Sequence, residues 1–122
     1  MTEQSQDFEI WAGEYKELTI AILKPDGTPE DLTGPATVVW VVKKRPDKSL
    51  PALVTKSHEH GAEVLVPPTA GLVKITLDEA DTLGLAGTYY HELEGRDTAG
   101  RPFTPTVGYL VVQPSAIRDT LP

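Results

Sequence analysis

From Gly87 to Val112 the chain alternates polar and apolar residues twice, on either side of a single turn signal. A period of two marks a strand with one covered face, so this stretch specifies a β-hairpin. In its first arm Tyr89, His91 and Leu93 share one face, and Tyr90, Glu92 and Glu94 share the other. The first of these faces is the expected core, with His91 bonded to backbone. Asp97-Thr98-Ala99-Gly100 supplies the turn, because Asp bonds its own backbone two residues on and Gly accepts a positive φ. Val107, Tyr109 and Val111 share a face of the return arm, where Gly108 marks a bulge or a close backbone approach. Upstream, Asp78 to Leu83 reads as a short helical corner, with Asp78 a candidate cap and Thr76-x-x-Glu79 a candidate capping box.

The same alternation recurs along the chain. Phe8 and Ile10 alternate with Asp7, Glu9 and Trp11 in a short first strand that Gly13 interrupts, and Leu18, Ile20 and Ile22 line one face of the next. Pro25-Asp26-Gly27 is a turn in which Pro presets φ. Ala36 to Val42 is the most apolar run, with Val38, Trp40 and Val42 on one face and Val39 and Val41 on the other. Such a run is either a central strand covered on both sides, or a strand with one core face and one interface face. Ala52–Ser57 and Glu63–Val66 read as weaker strands, and Val73, Ile75 and Leu77 lead back to the helical corner. Met1 to Gln6 reads as a polar lead that is mobile or docks on a neighbour, and Ser115 to Pro122 as an extended tail after Pro114 removes a ladder donor. About seven to nine short strands with one helical turn predict an all-β, antiparallel immunoglobulin-like β-sandwich, a single domain over residues 1–122. Gly87-x-Tyr89 after the corner fits the tyrosine corner of such sandwiches. A small barrel is the alternative.

A net charge of −7 argues against binding nucleic acid through its phosphates, which needs clustered Lys and Arg. Lys43-Lys44-Arg45, the one basic cluster, falls where a strand should end and reads as solvated. No apolar run approaches the roughly 20 residues that span a bilayer, and Met1 to Asp7 lacks the regions of a signal peptide. With no cysteine there is no disulfide framework and no thiolate metal site. His58-x-His60 places two imidazoles on one strand face but lacks a convincing third ligand, and Asp78, Glu79 and Asp81 lack the EF-hand pattern. No nucleophile elbow, Walker or dinucleotide motif occurs, so no catalytic, cofactor-binding or metal residue is assigned.

Trp11, Trp40, Tyr90 and Tyr109 could stack on sugars if several lined one exposed face, which keeps a carbohydrate- or host-surface-binding module as the alternative function. The ordered signals Asp26-Gly27-x-Pro29, Asp31-Leu32-Thr33-Gly34, Ala80-Asp81-Thr82-Leu83, Leu85-x-Gly87-x-Tyr89-Tyr90, Glu92-Leu93, Asp97-x-x-Gly100 and Gly108-x-Leu110-x-Val112 carry a resemblance. The chain resembles the small immunoglobulin-like domains of tailed-phage virion proteins and is similar to the N-terminal domain of the phage baseplate upper protein. That resemblance implies a non-enzymatic structural protein located in a virion, as a capsid decoration or a neck, tail or baseplate component. Its implied partners are other virion proteins, with a homo-oligomer in the particle and neither nucleic acid nor membrane. The terminal segments Thr2–Ile10 and Pro114–Leu121 are the expected contact arms, with Phe8, Ile10, Trp11, Ile117 and Leu121 as contact residues and Trp11 as anchor.

Overall fold

The computed structural model describes residues 4–33, 37–58, 60–97 and 99–115. These residues form a predominantly β structure whose single sheet is nearly closed and barrel-like. In chain order its strands are β1 (Gln4–Ser5), β2 (Phe8–Trp11), β3 (Lys16–Ala21), β4 (Thr37–Lys43), β5 (Val54–His58) and β6 (Gly61–Val64), then β7 (Leu72–Leu77), β8 (Gly87–Arg96) and β9 (Thr106–Gln113). One helical turn, α1 (Glu79–Thr82), joins β7 to β8, and its Asp81 forms an ion pair at 2.8 Å with Lys56 of β5. Around the sheet the order is β1 and β2, then β9, β8, β4, β5, β6, β7 and β3.

The alternation read from the sequence sets the inward face of each strand. Leu18 and Ile20 of β3, Val38, Trp40 and Val42 of β4, Val73, Ile75 and Leu77 of β7, and Leu93 of β8 fill one core. Leu110 and Val112 complete it from β9, which leaves Val107, Tyr109 and Val111 on the outward side. The β8–β9 turn closes as Gly100 N–H donates to Asp97 O at 2.9 Å, with Gly100 at φ +83°. The capping box forms two residues later than Thr76-x-x-Glu79. Asp78 N–H donates to the Asp81 carboxylate at 2.7 Å, because Thr76 still belongs to β7, opposite Glu17.

The expectation of a purely antiparallel arrangement is corrected in two places. β5 and β6 are parallel, and β1 and β2 run parallel to β9. β1 and β2 keep one register along β9, with Gln4 opposite Thr106 and Phe8 opposite Leu110, and are interrupted at Gln6 and Asp7. There Gln6 N–H donates to Val107 O, and the Asp7 carboxylate accepts Tyr109 N–H, each at 2.9 Å. Of the polar lead, Gln4 onward is neither mobile nor given to a neighbour but pairs within this sheet. Pairing between residues 102 apart leaves no local mark in the sequence. Residues 1–3 and the tail beyond Ser115 lie outside the described residues.

β2 and β3 follow one another through a tight corner in which Glu14 N–H donates to Trp11 O and Gly13 N–H to Thr82 Oγ1. They do not join as backbone neighbours, and the sheet stays open between them. The Gln6 side chain bridges this seam. Its Oε1 accepts Ala21 N–H at 3.1 Å and its Nε2 donates to Ala21 O at 2.7 Å, as a paired strand residue would.

Candidate functional site

Behind the β8–β9 hairpin lies a buried polar relay. The Trp40 indole N–H donates to His91 Nδ1 at 3.1 Å, so the neutral ring carries its proton on Nε2 and donates it to Gln6 O at 2.5 Å. Burial holds the His91 pKa below its ordinary value, while the Gln6 hydrogen bond and the charge of Asp7 pull it upward. Both ring nitrogens are engaged, which leaves this imidazole no free site for proton transfer. Among the described residues no buried side-chain polar atom lacks a partner. The relay braces β4, β8 and the β1–β2 junction and thereby stiffens the sheet in front of it.

The outward side of that sheet carries exposed apolar side chains. Val39 and Val41 of β4 stand opposite Glu94 and Glu92 of β8, and Lys43 stands opposite Tyr90. On the other flank Tyr90 faces Tyr109 and Glu92 faces Val107. Two carboxylates therefore lie between two apolar stripes. Val39 is 43 % exposed and Tyr109 54 % exposed, unusual for large apolar side chains on central strands. The Tyr90 hydroxyl donates to Glu92 at 2.6 Å and holds that carboxylate over the sheet. Between β4 and β8 runs a shallow groove of about 300 Å³ with Val39 and Val41 as floor and Glu92, Glu94 and Arg96 along its rim.

The sequence-predicted contact residues separate into three groups. Trp11, 53 % exposed, stands on this outward side at the end of β2, opposite Gln113. Phe8 packs against the core, and Ile10 is 2 % exposed within it, so its side chain faces away from any partner. Ile117 and Leu121 lie outside the described residues. Of the aromatic set, Trp40 is fully buried, which removes it from any stacking platform. Tyr90 and Tyr109 are cross-strand neighbours, but Trp11 sits four β9 positions from Tyr109, roughly 13 Å along the strand. His58 ends β5 and His60 lies in the β5–β6 connection, and among the described residues no three His, Asp or Glu side chains converge as metal ligands.

Alternation in the sequence put Tyr90, Glu92 and Glu94 on one strand face, Tyr90 and Tyr109 stood among the candidate stacking aromatics, and Val39 and Val41 marked the other half, but nothing local joined them into one surface. The missing information was which strands flank β4. No protein-family model matches the chain, and a comparison with curated proteins returns no match.

Proposed function

We propose that this chain is a non-enzymatic structural protein of a tailed-phage virion that works through protein–protein contacts. The observation that carries the contact reading is the outward face of β4, β8 and β9, where Val39 and Tyr109 remain exposed on a braced sheet. Apolar side chains held rigidly beside ordered polar groups lose little freedom when a partner covers them. The phage assignment itself rests on the resemblance in turn and strand order described above.

The immunoglobulin-like reading of the fold has its own support. β1 and β2 run parallel to β9, the last strand among the described residues, as N-terminal strands do in many such sandwiches. Trp40 is buried on β4 beside the β8 side chain of His91, at 5.8 Å between ring centroids. The Tyr89 hydroxyl donates to Ala86 O at 3.1 Å and accepts Ala86 N–H at 3.0 Å, the backbone bond of a tyrosine corner two residues before His91.

The test is the mass of the purified protein in solution across a concentration range, by light scattering coupled to size exclusion. A defined trimer, pentamer or hexamer supports a repeated component of a particle. A monomer whose melting temperature rises with an oligosaccharide favours the binding-module alternative, for which exposed Tyr109 and half-buried Tyr90 would be the platform.

A further inference from the structure

We infer that the groove between β4 and β8 receives an extended segment of a different protein that carries two basic side chains two residues apart. The inference deepens the protein-contact reading and rests on it. Glu92 and Glu94 project from alternate positions of β8, so their carboxylates repeat at roughly 7 Å along the strand. A segment in extended conformation repeats at the same step. Its residues i and i+2 then meet both glutamates, while their aliphatic stems lie on Val39 and Val41. Arginine fits best, since a planar guanidinium accepts the fork geometry of a carboxylate.

The ends of the groove bear the opposite sign. Arg96 follows Glu94 on the same outward side of β8, and Lys43 of β4 stands just beyond the Glu92 position, opposite Tyr90. From Arg96 of β8 to Lys43 of β4 the charges therefore run positive, negative, negative, positive. The complementary segment has two cations at its centre and acidic residues at its ends. A second copy applied face to face would set its own Glu92 and Glu94 over these two, and like charges in contact oppose association. The chain's net charge of −7 adds to that repulsion at longer range.

The test is an NMR titration of the full chain with a capped peptide, Asp-Thr-Arg-Val-Arg-Thr-Asp, and with a control in which both Arg are Glu. The Arg peptide should give saturable shifts at Val39, Val41, Glu92 and Glu94 that weaken as salt is raised. Glu92→Gln combined with Glu94→Gln should reduce affinity by about threefold or more, as should Val39→Thr, with circular dichroism unchanged in both. The inference is overturned by a silent titration at millimolar peptide or by equal binding of the Glu control. Shifts at these same residues on raising protein concentration alone would also overturn it, in favour of self-association. A defined oligomer by light scattering together with a silent titration removes this inference and leaves the contact reading standing.

Discussion

His91 has no room to be charged. Its Nδ1 faces the Trp40 N–H, so a second ring proton would set donor against donor in a buried site. The sign of the resulting pH effect is fixed by the lowered folded pKa. Below the ordinary value of 6.5 the unfolded chain takes up the proton more readily than the folded one. Stability is therefore full above that value, falls as the pH drops toward the folded value, and is flat below it. Urea unfolding midpoints should decline as the pH falls below 6.5, and His91→Gln should be less stable at neutrality yet lack that decline. Gly108 lies directly across from His91 on β9. A Cβ there would collide with Gln6 O and press on His91 Nε2. Gly108→Ala should lower stability by about 1–3 kcal/mol in urea denaturation, and an unchanged midpoint would show that the close approach is dispensable.

At the scale of elements, the seam between β2 and β3 decides how the sheet closes. One side-chain amide replaces a backbone pair there, and Gln6 thereby couples the first strand to β3 as well as to β9. Gln6→Ala removes two hydrogen bonds to Ala21 and should cost about 1–3 kcal/mol. Hydrogen exchange gives the sharper check. Protection of the Ala21 amide should fall further than that of Val73 or Leu110, and a uniform loss would mean that Gln6 does not act locally. None of this was legible in the sequence, since a polar Gln before a short strand carries no sign of a partner 15 residues on. What was legible followed from local chemistry. The period of two placed His91 and Leu93 inward and Glu92 and Glu94 outward, and Asp97 with Gly100 located the hairpin turn. The parallel partners of β9 and β5 escaped because strand direction across distant pairs depends on the closed sheet as a whole. For the outward face, alternation separated Val39 and Val41 from the core side, but only the register with β8 set glutamates beside them.

For the whole molecule, acid stability joins two populations of groups with different reach. Asp26, Asp31 and Asp47 each accept a backbone N–H and a side-chain hydroxyl two residues on, from Thr28, Thr33 and Ser49. Asp97 accepts the N–H groups of Ala99 and Arg101. These four carboxylates sit in the connections between β3 and β4, β4 and β5, and β8 and β9. Their hydrogen bonds hold all four pKa values below the ordinary 3.8, the hydroxyl contributing most for the first three and the Arg101 N–H for Asp97. A depressed carboxylate stabilises the fold above its unfolded pKa, and that contribution disappears as the pH falls through the folded value. All four lie in surface turns, Asp26 and Asp31 exposed and Asp47 and Asp97 half-buried, so each contribution is small and only their sum across the corners should register. His91 acts earlier, below 6.5, and from the core. Stability plotted against pH should therefore fall in two separate windows, one below the ordinary histidine value and one below the ordinary aspartate value. Replacing all four aspartates by Asn keeps an acceptor in each turn but removes the titration, so the lower window should flatten while the upper one persists. A single decline that vanishes with the four Asn substitutions would remove His91 from this account, whereas a single decline that survives them would remove the turns.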